Sequence, residues 1–256
     1  MRLLFLGDIV GSCGREAVVR TVPRLRRELR LDYVVANGEN CSGGKGLLPR
    51  HADELFAAGI DVITGGNHTF QHRDLYPYLE STPGITRPLN YPPGAPGSGI
   101  AEAGDLTVIN LIWRGFMSAD YDDPFRAVDE ALQKTPANRF IVVDLHAEAT
   151  SEKQAMGWHL DGRVTFVVGT HTHVPTADQR VLPHGTAYCT HAGMCGARDS
   201  VIGDEGPAVR SRFRQQMPTG LPPAEGTAIL NGVLIEADDI TRRATHIERC
   251  DTLVHP

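Results

Sequence analysis

The chain has 256 residues, of which 41% are hydrophobic and 22% charged, and its formal charge is −6. This is the composition of a folded globular protein, and no apolar run reaches the roughly 20 residues that a membrane-spanning helix needs. With no long run of Lys or Arg, an extended nucleic-acid partner is not indicated, and a small anionic substrate would have to be drawn by something local such as a bound cation.

Residues 3–6 form a short apolar strand that ends in Gly7-Asp8. The stretch is too short for a signal peptide and runs into an acid, so a cytoplasmic protein is expected. Gly11 and Gly14 loosen the following turn, and residues 15–30 place Val18, Val19, Val22, Leu25 and Leu29 at helical spacing. A second strand, 32–36, runs into Asn37-Gly38-Glu39-Asn40. A loop with Gly43, Gly44 and Gly46 leads to a helix starting near Pro49. The third strand, 61–64, ends in Gly65-Gly66-Asn67-His68. Residues 76–99, rich in Pro and Gly, are expected to be irregular.

Residues 106–112 are the next strand, 123–133 a helix, and 139–145 a strand ending at His146. A short helix over 151–158 precedes the β-branched strand 164–168, which Gly169 closes just before His171-Thr172-His173. A short strand at 186–190, a glycine-punctuated loop at 193–196 and a helix over 205–216 follow. An alternating strand over 227–236 is expected to pair with 244–248. No repeat or linker divides the chain, which predicts one domain over 1–256. Strands alternating with helices give a layered α/β fold, and the strand-rich last third gives mixed sheets. The five cysteines are odd in number and lack CxxC spacing, so free thiols are expected rather than disulfides or a zinc knuckle.

Five strand ends carry metal-competent side chains: Asp8; Glu39 with Asn40; Asn67 with His68; His146; and the pair His171 and His173. Each has a bland reading alone. Asp8 suits a helix cap, Asn67 a turn, His146 a satisfied buried imidazole, and the histidine pair a solvated loop. Ligands of open α/β sheets bind at the C-terminal ends of strands, so strand ends of one sheet can converge. Two carboxylates, two amides and three imidazoles exceed the needs of one tetrahedral zinc. They fit two metals bridged by a carboxylate and a water. Mixed N and O donors without thiolate favour iron, manganese or zinc over magnesium. Such a pair generates hydroxide at neutral pH and clamps an in-line displacement, which suits phosphate-ester hydrolysis.

Gly7-Asp8-Ile9-Val10-Gly11, Gly38-Glu39-Asn40, Gly65-Gly66-Asn67-His68 and Gly169-Thr170-His171-Thr172-His173 resemble the signature of calcineurin-like metallophosphoesterases. The match is closer to the YmdB branch, the 2′,3′-cyclic-nucleotide phosphodiesterases, and extends to residues 144–148 and 193–196. Val10 stands where the superfamily has a metal-binding His, and Glu39 where it has Asp. The resemblance implies a four-layer α/β/β/α sandwich with two mixed sheets. It implies two transition metals, iron first, with manganese or zinc as substitutes. Asp8, Glu39, Asn40 and His173 would hold one metal, and Glu39, Asn67, His146 and His171 the other. His68 would assist catalysis, and protonating the departing ribose oxygen is a role its chemistry allows. Thr69 replaces the Glu that usually orients this imidazole.

The substrate expected is a small cyclic nucleotide, 2′,3′-cyclic and more widely 3′,5′-cyclic, with homo-oligomer formation left open. The competing reading is a metal-binding regulator or nucleotide binder with incidental phosphatase activity. Reading residues 7–14 as a dinucleotide loop fails on spacing. Arg87 and Asn90 are read as loop residues before substrate contacts, and Glu148, Glu152 and Lys153 as candidate pocket lining. His191 ranks first among the remaining histidines, and Cys195 is not read as a nucleophile.

Overall fold

The computed structural model describes residues 1–255. The first apolar run makes β1 (Arg2–Leu6) and, beyond Gly7, β2 (Asp8–Ile9). Helix α1 (Gly11–Glu28) begins four residues before its expected start. Its early glycines do not loosen a turn: a Cβ on Gly14 would collide with the Cys195 carbonyl, so the first turn packs backbone on backbone. β3 (Tyr33–Asn37), α2 (Pro49–Ala57) and β4 (Val62–Thr64) follow as expected. α3 (Leu75–Ser81) stands inside the stretch expected to be irregular; Leu75 and Leu79, one turn apart, bury one side of it. The local Pro and Gly content hid that pair.

β5 (Ile100–Ala103), β6 (Leu106–Ile112), α4 (Pro124–Lys134), β7 (Phe140–His146), α5 (Thr150–Leu160) and β8 (Phe166–Thr170) complete the central alternation. Asp123 caps α4 by accepting from the amides of Phe125 and Arg126 at 2.8 and 3.3 Å. β9 (Arg180–Val181) and β10 (Ala187–Cys189) come next. β11 (Met194–Ala197) occupies the segment expected to be a loop. After α6 (Gly206–Gln215), the single strand expected over 227–236 is two, β12 (Ala228–Leu230) and β13 (Gly232–Ala237). β14 (Ala244–Arg249) pairs with β13 as expected, and β15 (Thr252–Val254) ends the described chain.

The sheets number three, all mixed, where two were expected: β14-β13-β1-β3-β4, β5-β6-β7-β8-β10-β9 and β15-β12-β11-β2. The third is a fork in the first. β1 pairs with β13, but beyond Gly7 and Asn231 the strand β11 inserts between β2 and β12. Asn231 sits in the fork: its carbonyl accepts from Gly7 N (3.0 Å), and its side-chain oxygen from Met194 N (3.2 Å). The extra strand makes Asp8 a partner of Met194 and turns it away from the line of β1.

Three apolar clusters separate four layers, as expected. One lies between α1–α3 and the first sheet with its fork, one between the two large sheets, where Phe5 meets Phe166 edge-on at 6.2 Å, and one under α4 and α5. Among the described residues no helix is long and apolar enough to cross a membrane.

Candidate metal centre

The expected strand ends do converge, but from different sheets. Glu39, Asn40 and Asn67 follow β3 and β4 of the first sheet, Asp8 lies on the fork, and His146, His171 and His173 close β7 and β8 of the six-stranded sheet. The pocket is therefore at the seam of two packed sheets rather than along one edge, a correction to the single-sheet picture.

Three donors surround the His146 ring nitrogen Nε2: Asn67 Oδ1 at 2.8 Å, His171 Nδ1 at 3.0 Å and Glu39 Oε1 at 3.1 Å. One N–H cannot serve all three. Glu39, His146 and His171 place ligand atoms within 4.8 Å of one another. Beside them, His173 Nε2 lies 3.8 Å from Asp8 Oδ1 and 3.3 Å from Asn40 Nδ2. Asn40 Oδ1 is buried without any hydrogen-bond partner. A buried orphan acceptor and converging lone pairs are what a cation would satisfy. Charge state agrees. Burial raises Asp8 and Glu39 and pushes His146 and His171 down to about 3, so the imidazoles are neutral with lone pairs free. The donor set thus fits metal held by nitrogen and oxygen ligands.

The second nitrogen of each imidazole is anchored. His146 Nδ1 is 2.9 Å from Thr170 Oγ1, whose hydroxyl donates to Asp144 Oδ1 at 2.7 Å. Asp144 is fully buried, and burial pushes it up to about 7. Its other oxygen accepts from Thr64 and Asn37 across the seam. His173 Nδ1 donates to the Ile202 carbonyl at 2.7 Å, and His171 Nε2 faces Glu148 at 3.2 Å. Anchoring the far nitrogen fixes which one is offered to a metal. His171 and His173 hold φ of 100° and 63°, left-handed values unusual for residues with a side chain. This twisted strap is what aims the pair, and such strain collects at functional sites.

His68 sits at the rim. Its backbone N–H donates to Glu39 Oε2 at 2.7 Å, and its Nε2 is 3.3 Å from Asn67 Nδ2. Burial lowers it against the opposing charge of Glu39. Thr69 does not orient the ring; it closes its own turn on Gly66. Val10 is buried against Gly203 and offers no ligand.

The lower-ranked residues divide. Glu148 lines the pocket. Lys153 is buried along Gly169, where burial takes it down to about 8. Glu152 lies under Gly115. Arg87 turns onto the carbonyls of Pro88, Leu89 and Ala95, and buried Asn90 ties Ile112 to Asp122, so both are clamps of the 82–99 segment. His191 is buried; its Nε2 accepts from Thr172 N at 2.9 Å and His173 N at 3.2 Å and lies 3.8 Å from Asp8 Oδ2, so it supports the histidine strap from directly behind the centre. Cys195 is a core residue of β11. Sequence reasoning missed Asp144, Thr170, Thr64 and Asn37. Their signal was a polar residue at the inward end of an apolar strand.

The sequence model of the family described as YmdB-like protein matches residues 4–250. The 2′,3′-cyclic-nucleotide 2′-phosphodiesterase of Bacillus subtilis (strain 168) is 45% identical over 257 residues, covering 97% of this chain and 96% of the relative. A crystal structure of a hypothetical protein from Thermus thermophilus superposes with a TM-score of 0.93 at 42% identity, over 100% of both chains. A novel phosphatase from Mycoplasma pneumoniae gives 0.91 at 35% identity, over 99% of this chain and 93% of its own.

Proposed function

The chain belongs to the YmdB-like family, and from that premise we propose that it is a metal-dependent phosphodiesterase of 2′,3′-cyclic nucleotides working at the seam pocket. The observation that carries this reading is the set of three donors around His146 Nε2, together with the orphan oxygen of Asn40. In this reading Asp8, Glu39, Asn40 and His173 would hold one ion and Glu39, Asn67, His146 and His171 the other. Two transition-metal ions bound there would supply a nucleophile from water at neutral pH and would neutralise charge on the phosphate.

The chain's own residues do the rest. Burial raises Asp8 and Glu39, and cations held there would favour their ionised forms. Asn67 sits between His146 and His68, so it couples the centre to the rim. His68 gives a proton to the ribose 2′ oxygen as its bond to phosphorus breaks, leaving the 3′-phosphate.

The test joins metal analysis to turnover. Protein purified without chelator should carry about two transition-metal ions per chain. It should hydrolyse 2′,3′-cyclic AMP faster than 3′,5′-cyclic AMP or a phosphomonoester. Glu39→Gln and Asp8→Ala should lose turnover and metal while keeping the far-ultraviolet circular dichroism of the parent. Full activity in Glu39→Gln would refute the assignment. Tight nucleotide binding with negligible turnover by the parent would make the protein a regulator instead.

A further inference from the structure

A row of aromatic rings joins the turn that carries His68 to the strand end that carries His146. Phe70, two residues after His68, meets the Tyr91 ring edge-on at 5.1 Å, and Tyr91 meets Tyr121 at 4.9 Å. The far end of the row is tied to a proposed ligand through the backbone. Ile112 pairs with His146 across β6 and β7, and the Asn90 side chain holds both backbone groups of Ile112, accepting from its N–H at 2.9 Å and donating to its carbonyl at 2.7 Å. The same amide donates to the Asp122 carbonyl at 2.8 Å, and Asp122 N donates to the Asn90 carbonyl at 3.0 Å. Tyr91 and Tyr121, the chain neighbours of Asn90 and Asp122, are thus fixed side by side.

The two phenol oxygens lie 3.4 Å apart, and among the described residues neither has another partner. Hydroxyls that bond each other well stand at about 2.7–2.8 Å. Each phenol carries one proton, so a bond between them uses one and leaves the other without an acceptor. Tyr121 is only 7% exposed, and a buried phenol ordinarily finds a partner. Packing accounts for the rings but not for the spare proton. Burial first, and the Glu39 carboxylate after it, raise both phenols, so both stay protonated at neutral pH. Arg87, the one cation of residues 82–99, is meanwhile turned onto the Pro88 and Leu89 carbonyls. The donor this segment has left over is a phenol.

We propose that Tyr91 and Tyr121 bind the substrate, their spare O–H donating to a non-bridging oxygen of its phosphate. The proposal rests on the reading above that the seam pocket takes a phosphate ester. A phosphodiester oxygen is the acceptor the pair lacks: it is anionic, and a hydrogen bond to a charged acceptor is shorter and roughly twice as strong as one between neutral groups. The donor itself is neutral, so it adds no charge to a site that would already hold two cations. The packing on Phe70 and the Asn90 clamp set both rings in advance, so little side-chain freedom is lost on binding. A contact to phosphate is indifferent to which nucleobase the substrate carries.

Inorganic phosphate and cyclic nucleotides probe the contact separately. Tyr91→Phe/Tyr121→Phe keeps both rings and removes both hydroxyls. In calorimetric titration of the metal-loaded protein, its affinity for inorganic phosphate should be about 10–100-fold below the parent's, with metal content unchanged. Its kcat/KM should fall by a like factor, mostly through KM, and equally for 2′,3′-cyclic AMP and 2′,3′-cyclic UMP. Each single variant keeps one hydroxyl and should bind phosphate more tightly than the double variant. Unchanged phosphate affinity in the double variant would overturn the proposal and make the row a packing device. A loss confined to one of the two bases would make it a base subsite and also overturn it, as would loss of metal together with phosphate. If the parent binds phosphate, the double variant binds it more weakly and neither turns over a cyclic nucleotide, the donor assignment stands and the phosphodiesterase reading falls.

Discussion

On the first-sheet side of the pocket, Glu39, Asn40 and Asn67 hang from turns whose restraints are mostly backbone: Glu39 accepts from His68 N, the Asn40 carbonyl from Gly11 N, and Asn67 rides a turn closed by Thr69 on Gly66. On the six-stranded side, His146, His171 and His173 are aimed from behind, each by a partner on its far nitrogen. The oxygen donors need only a turn in the right place. An imidazole needs its turn, its ring angle and its tautomer set, and the last two take a second layer of polar groups. Asp144 joins the halves, because its two oxygens are bound by strands of different sheets.

If the rim and the centre are separate devices, they should fail separately. His68→Ala removes the proposed proton donor and no proposed metal ligand. Turnover of 2′,3′-cyclic AMP should fall about 10²–10⁴-fold with metal content unchanged. Loss of metal along with activity would show that His68 belongs to the centre. The supporting layer should give a smaller effect of opposite character. Thr170→Val keeps the volume and breaks the link from His146 to Asp144. Metal affinity, measured by competition with a chelator, should drop about 10–100-fold. Thr170→Ser restores the hydroxyl and should restore the affinity. Equal loss in the serine variant would mean that the methyl packing matters and the relay does not.

The same contrast governs how much of the site the sequence disclosed. Asp8, Glu39, Asn67, His146 and the histidine pair were legible because each directly follows an apolar run, and strand ends are where α/β folds put chemistry. The four layers were legible from the alternation of elements. Asp144 and Thr170 were not, since a lone polar residue inside a strand acquires its meaning only from partners far away in the chain. The fork at Asn231 was hidden for a related reason: β11 is too short and glycine-rich to announce itself, and only its pairing with β2 and β12 makes it a strand. α3 was obscured by neighbouring prolines.

The smallest expected effect concerns the strap beyond the imidazoles. Asp178 accepts from the Thr176 and Thr190 hydroxyls and from Thr190 N, pinning the chain just after His173 to the end of β10. Burial alone would raise this carboxyl, but those hydrogen bonds outweigh it and hold it below the usual carboxylate range. A carboxylate depressed in the folded state stabilises at pH values above its unfolded value, about 3.9. That contribution fades as the pH falls through the folded value, because the native carboxylate is then protonated too. Asp178→Asn should therefore cost about 1–3 kcal/mol in urea denaturation at neutral pH, and the gap between parent and variant should close below about pH 4. A gap that persists in acid would mean that shape, not charge, holds the strap. Metal affinity at neutral pH should fall less than in Thr170→Val, because Asp178 touches neither His171 nor His173 and acts only through the loop that carries them.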